Sequence, residues 1–318
     1  MAYQTLHSLA YAPSHRRGPR VSIGIPVYNG QNYIEQAIRC FLTQTFSDIE
    51  IVISDNASID ATEQICRDFA AADSRIRYYR NERNLGAASN YNRVFFLSSG
   101  KYFKWAAHDD LCTPDYIEKT VRVLDAHRDS VLCHARSHII GHHGERLGEG
   151  ADDFHVTATT PSERLLQAFL AGSWVFHPVF GLIRRSALER TNLIANYVGS
   201  DYVLLAELAL EGHCVELPEY LFLRRQHPAR SGNLTLDEFQ QWWDPRKGLL
   251  HFHHWRLFRE YVRATNRPGM EVNEKLRCIR VVLKWLFWHR QHLAADLTRA
   301  TKTLIGFLFA PRRAPARS

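Results

Sequence analysis

The feature that most constrains this chain begins at Val21: short apolar runs alternate with segments of helical periodicity. Residues 21–25 read as a strand, and across 31–46 the apolar residues Tyr33, Ile34, Ala37, Ile38, Phe41 and Leu42 recur at helical spacing. Further strands are predicted at 50–54, 76–79 and 102–106. A helix after Asp60 and Glu63, which stand in capping-box spacing, and a helix over 85–97 separate them. Strand–helix–strand units of this kind pair their strands in parallel, so the expected fold is an α/β domain with a mainly parallel sheet flanked by helices. Thr113 and Pro114 predict the N-cap and first residue of a following helix. Strands are expected at 131–133, 179–183 and 220–223, with a mobile polar loop over 141–155. Asp201 is expected to open a helix that ends near Gly212 as its C′ residue.

A chain of 318 residues with 45% hydrophobic content can bury a full core. Its net charge of +7 is uneven. Residues 235–318 carry 16 Lys and Arg against 7 Asp and Glu, residues 1–20 carry three Arg, and the body between them is mildly acidic. Three segments follow: a basic arm (1–20), the α/β domain (21–232) and a basic, aromatic helical extension (233–318) holding five of the seven Trp. In the extension Arg277, Arg280 and Lys284 fall one turn apart beside Leu276, Ile279, Leu283 and Leu286. Such a stripe is either ordinary helix packing or a peripheral contact with an anionic membrane surface. His251, His253 and His254 show no ligand spacing and read as helix surface. The basic excess is confined to the ends and no base-stacking module is present, which argues against a nucleic-acid partner. The six cysteines are widely spaced without a CxxC pair and predict reduced, buried thiols and a cytoplasmic protein. Arg16, Arg17 and Arg20 accompany no apolar core segment, so no secretory signal is expected. The longest apolar run of the tail, 304–310, is far shorter than a bilayer requires.

Ligands of open α/β sheets bind beyond the carboxyl ends of the strands. The polar signals gather there: Pro26, Tyr28 and Asn29 after the first strand, Asp55 and Asn56 after the second, and His108, Asp109 and Asp110 after the fourth. Adjacent carboxylates raise each other's pKa, so a pair such as Asp109–Asp110 is either solvated or shares a cation.

Three stretches, VSIGIPVYNGQNYIEQAIRCFLTQTFSDIEIVISDNASIDAT (21–62), RNERNLGAASNYN (80–92) and YFKWAAHDDL (102–111), resemble in order and spacing the N-terminal half of the family 2 glycosyltransferases of the GT-A fold. The resemblance is strong over 21–115, looser to about 232, and slight beyond. It implies a nucleotide-sugar donor, a divalent cation (Mn²⁺ or Mg²⁺), a glycan or lipid-linked acceptor, and transfer with inversion. Carried over by position, Pro26, Tyr28 and Asn29 line the nucleotide pocket, Asp55 and Asn56 meet the nucleobase side, and Arg80 and residues 84–88, Asn84 first, close over the donor. Asp60 matches a second acidic position, though locally it is a good helix cap. In the family's Asp-x-Asp motif Ala107 replaces the first Asp, which leaves Asp109 as metal ligand, with Asp110 and His227 as further candidates. Inverting transfer needs a base at the acceptor hydroxyl. Asp201 stands at that position, and the same Asp is a plausible N-cap. Arg225 and His227 match the segment that closes on the diphosphate.

Two other classes compete. A sugar nucleotidyltransferase would carry a Gly-rich loop with Lys or Arg after the first strand, and residues 26–30 contain no basic residue. A non-catalytic sugar-nucleotide- or partner-binding protein is suggested by Ala107.

Overall fold

Strand β1 (Val21–Val27) is buried along its whole length, which requires cover on both faces. In this computed structural model, which describes residues 18–150, 153–171, 177–228, 230, 233, 236–243 and 252–308, that cover comes from helices on opposite sides. One core joins Val21, Ile23, Ile25, Ile51 and Ile53 to Ile34, Ile38 and Phe41 of α1 (Ile34–Leu42) and to Cys66 of α2 (Thr62–Ala72). The other joins Val52, Phe103 and Trp105 to Ala87, Ala88, Val94 and Phe95 of α3 (Ala87–Phe96). Each fully buried aliphatic side chain contributes about 1.5–3 kcal/mol. Gly24 lets α3 approach β1: a Cβ there would lie 2.7 Å from Val94 and 2.8 Å from Phe103.

Strand β2 (Ile49–Asp55) pairs in parallel with β1 and with β3 (Ile76–Arg80), while β4 (Tyr102–Trp105) pairs in parallel on the other side of β1. The order reverses at β1, and that reversal opens a crevice above the carboxyl ends of these strands. The rest of the sheet is mixed, with order β3-β2-β1-β4-β8-β6-β9-β5 and β7 paired on β6. Its remaining strands are β5 (Leu111–Cys112), β6 (Ser130–Ile140), β7 (Arg146–Glu149), β8 (Leu182–Arg184) and β9 (His213–Arg225). β8 runs antiparallel to both β4 and β6, while β9 pairs in parallel with β6, so the second half of the sheet is mixed.

Several expectations shift. Residues 141–155 are not a single loop: β7 folds back on β6, and 151–152 lie outside the described residues. Residues 177–180 form a 3-10 turn before β8 rather than the start of a strand. The helix expected at Thr113 begins at Tyr116 as α4 (Tyr116–Ala126), because Thr113 donates to Asp115 and Asp115 becomes the N-cap. Glu63 makes no capping box, being drawn to Arg67 and Arg80. A complete box forms instead at Thr160 and Glu163 of α5 (Pro161–Leu170). Helix α6 (Arg185–Leu188) is one turn, and α7 (Ser200–Glu211) ends at Gly212 in extended conformation. Glycine is needed there for close approach, since a Cβ would lie 2.4 Å from the Asp129 carbonyl.

Helices α8 (Leu236–Trp243), α9 (His253–Thr265), α10 (Val272–Trp288) and α11 (Arg290–Leu308) follow. Trp243 enters the α3-side core, and Leu257, Tyr261, Cys278, Val282 and Trp285 form a third core with α5 and α7. The extension therefore shares cores with the α/β body. His253 and His254 are not free surface: His254 bonds Asp296 of α11 and stacks on His292. His251, Ser231 and residues 1–17 of the arm lie outside the described residues. The six cysteines are free and, except half-buried Cys40, buried. No helix among the described residues is long and apolar enough to cross a membrane.

Candidate functional site

The loops after β1, β2, β3 and β4 converge on the crevice. Asn29 holds a left-handed φ of 51°, which turns its side chain to accept from the Ile59 N–H at 3.0 Å while its own N–H donates to Ser58 Oγ at 2.9 Å. Tyr28 beside it remains well exposed. Asp60 accepts from the Thr62 N–H and hydroxyl and from the Gln31 N–H, so it ties the β1 loop to α2. Burial works against its charge, but these donors hold its pKa below the ordinary value. Asp60→Ala is expected to cost about 1–2 kcal/mol in a denaturant titration, with donor affinity nearly unchanged.

Asp55 is fully buried and already accepts from the Ser58 N–H and the Tyr78 hydroxyl, both at 2.8 Å. Asn56 is equally committed: its carbonyl accepts from Asn81 and the Leu85 N–H, and its amide donates to Asn84. These contacts fix the segment after β3 against the end of β2. Arg80 reaches Glu63 at 2.6 Å and the Ser58 carbonyl at 2.8 Å, and lies 3.9 Å from Asp55. Pro26 is buried within β1, opposite Ser54.

At the end of β4, Gly30 admits the His108 ring, which a Cβ would meet at 2.7 Å. Asp109 Oδ2 lies 2.9 Å from His227 Nε2. Burial opposes its charge, yet that hydrogen bond and the His108 and His227 rings hold its pKa below the usual carboxylate range. Asp110 goes the other way, pushed up to about 8 by burial and then by the Asp109 charge. Its Oδ1 accepts from the Arg225 N–H at 2.9 Å. Two half-buried neighbouring carboxylates on opposite sides of the ordinary value form a donor set that a cation would relieve. Among the described residues no three His, Cys, Asp or Glu side chains converge as a closed metal cluster. The protein thus offers Asp109 with His227 and, one residue on, Asp110. That fits an ion completed by oxygens of a bound ligand, as hard divalent cations accept.

Arg225 is buried, and every nitrogen of its guanidinium has a partner in the chain: the Asp109, Gly141 and His142 carbonyls and Gln36 Oε1, with Tyr33 beneath it at 4.6 Å. It holds the Asp109–Asp110 loop from below. Its neighbour Arg224 projects to the other side of β9, donating to the His177 ring at 3.2–3.3 Å, and its Nε is buried without a partner. The Arg224 charge acts on Asp110. Burial, and then Arg224, push His177 down to about 3, so it is neutral at working pH.

Asp201 sits in the first turn of α7, whose N-cap is Gly199. Burial raises it to about 6, opposed only by backbone N–H groups, and no cation pairs with it among the described residues. Burial, and then the charges of Asp109, Asp110 and Asp201, raise the pKa of the Tyr91 hydroxyl.

Sequence reasoning missed Tyr91, Arg224, His177 and Lys104. Lys104 is wholly buried under the site, donating to the Phe180 carbonyl and lying over Tyr116 and Phe222. Alternation along β9 was the available signal for Arg224, since successive strand residues face opposite sides.

A family model described as glycosyl transferase family 2 matches residues 22–191. A protein described as an uncharacterized glycosyltransferase of Rickettsia typhi is 40% identical over 107 residues, which cover 34% of this chain and 32% of that protein. For a similar Rickettsia bellii protein, the match spans 15% of its length. The glycosyltransferase GlyG of Streptococcus pneumoniae is 25% identical over 235 residues, covering 70% of this chain and 75% of that one. Among solved structures, residues 1–349 of Staphylococcus aureus TarS with UDP-GlcNAc superpose with a TM-score of 0.62 at 14% identity, covering 85% of this chain and 72% of that one. The mannosyltransferase PcManGT of Pyrobaculum calidifontis, with GDP-Man and Mn²⁺, gives 0.51 at 16% identity over 95% and 84%. At these identities the structural likeness supports the GT-A fold alone.

Proposed function

The chain belongs to glycosyl transferase family 2, and from that premise we propose that it transfers a sugar from a nucleotide-sugar donor to a hydroxyl of a glycan or lipid-linked acceptor, with inversion and with a divalent cation. The observation that carries this reading is the Asp109–His227 pair with Asp110 beside it, at the end of β4 in the crevice above β1 and β4.

In this reading the nucleotide lies along the loops after β1 and β2. Tyr28 offers an exposed ring, buried Asp55 fixes the loop from within through Ser58 and Tyr78, and Pro26 and Asn29 shape the floor. Asn56, through Asn84, sets the position of the segment after β3 that covers the donor, and Arg80 braces it from Glu63. Asp109, with Asp110 and His227, would hold Mn²⁺ or Mg²⁺. Such an ion neutralises diphosphate charge and lowers the barrier to its departure. Arg224 is better disposed than Arg225 to face that charge, because the Arg225 donors are already engaged. Asp201, a carboxylate raised toward neutrality in a desolvated place, takes the acceptor proton as the glycosidic bond forms.

A thermal-shift panel of UDP- and GDP-sugars with and without Mn²⁺ finds the donor, since a ligand of the folded state raises its melting temperature. Nucleoside diphosphate release then tests the chemistry. Asp109→Ala should abolish the Mn²⁺-dependent part of the donor shift and lower turnover by about a hundredfold or more. A parent protein that binds a donor yet releases no diphosphate with any acceptor extract would favour the non-catalytic binding protein.

A further inference from the structure

Helix α10 carries two apolar faces. Cys278, Val281, Val282 and Trp285 are buried in the third core. On the opposite side Val272, Leu276, Leu283 and Phe287 stand 72%, 50%, 49% and 63% exposed, with half-buried Ile279 between them. At about 100° per residue these five fall within one narrow stripe. Arg280, Lys284 and Arg277 are all exposed and line one flank of it, followed by Trp288 at 43% exposure. Sequence periodicity alone left this helix open to ordinary packing. Among the described residues, packing uses only the far face and leaves a contiguous apolar row of about 22 Å beside a row of cations.

We propose that this face of α10 docks on an anionic lipid bilayer, with the helix lying in the interface plane. The apolar stripe is a depth of side chains that enters the headgroup–acyl boundary, while the cationic flank meets lipid phosphates and Trp288 sits at the polar boundary. Charge complementarity selects this occupant. In an antiparallel two-fold pair a second copy of the chain would set Arg277, Arg280 and Lys284 against the same three cations, and an ordinary apolar protein groove would leave Arg280 and Lys284 without a counter-charge, Arg277 alone having Glu274 beside it. The assignment is independent of the transferase reading, because its test reads binding and not turnover.

The test is co-sedimentation of the full chain with vesicles of phosphatidylcholine alone and with roughly one-third phosphatidylglycerol. Binding is expected only to the anionic vesicles and should weaken as salt rises. Leu283→Glu with Phe287→Glu, and separately Arg280→Glu with Lys284→Glu, should each reduce the bound fraction at least about tenfold. Phe96→Glu, an exposed apolar site elsewhere, should change nothing. All variants should keep the parent melting temperature because the altered side chains point outward; if the glutamates perturb folding, Leu276→Gln with Phe287→Gln gives a milder version of the same readout. Equal binding by parent and face variants would overturn the proposal. So would a light-scattering mass showing a dimer that Phe287→Glu disperses, without vesicle binding, since that result assigns the face to a second copy.

Discussion

Asp201→Asn is expected to leave a folded protein, lower kcat by about 10²–10⁴, and raise the melting temperature at pH 7.5. The catalytic loss follows from removing the carboxylate proposed as the base. The stability gain follows from the sign of its pKa shift. Burial lifts Asp201 from 3.8 to about 6, so the folded state binds its proton more tightly than the unfolded chain does. That contribution is fully present below pH 4 and is lost as pH rises through about 6. Above that the ionised group is destabilising by about 2–3 kcal/mol. Asn removes the buried charge but keeps the shape. The substitution also separates the two roles open to Asp201 in the sequence, because Asn caps helices as well as Asp does. Gly199 already holds the N-cap position, so a capping role predicts little change in either quantity. The parent's kcat should fall on an acidic limb centred near pH 6. Full turnover in Asp201→Asn, or no such limb in the parent, would remove Asp201 as the base.

The N-terminal half of the sheet was legible because its determinants are local. Residues 21–27 and 49–55 are mostly apolar runs buried on both faces, the helices between them carry clean stripes, and strand-end polar residues necessarily reach one edge. Legibility failed where the partner was distant in sequence. β8 inserts antiparallel between β4 and β6, a choice no periodicity encodes. Glu63 looked like half of a capping box until Arg80, 17 residues on, claimed it. In the site, carboxylates were readable as types at loop ends, but their environments were not. That Asp109 falls depends on His227, more than a hundred residues away, while Asp110 rises through burial and the Asp109 charge against the Arg225 N–H. Arg224 and Arg225 look interchangeable as letters, and only the register of β9 against β5 and β6 separates them.

Arg225→Met should therefore behave as a folding defect before it behaves as a catalytic one. The guanidinium bonds four groups in the chain at 2.8–3.1 Å: the carbonyls of Asp109, Gly141 and His142, and Gln36 Oε1. It also stacks on Tyr33. Met fills much of the volume but leaves those buried acceptors without donors, each costing about 1–3 kcal/mol where water cannot enter. The summed loss, after local relaxation, is expected at about 3–5 kcal/mol by denaturant titration. Arg225→Lys should recover little, since one ammonium cannot reproduce a planar fork reaching four acceptors. Activity should fall as well, through displacement of Asp109. Arg224→Met supplies the contrast: among the described residues its guanidinium bonds one ring, His177, and its Nε has no partner, so melting temperature should change little while kcat drops. If Arg225 faced the diphosphate directly, the two variants would trade places. Arg225→Met would melt like the parent and lose only turnover, and the strut beneath Asp109 and Asp110 would have to be sought elsewhere.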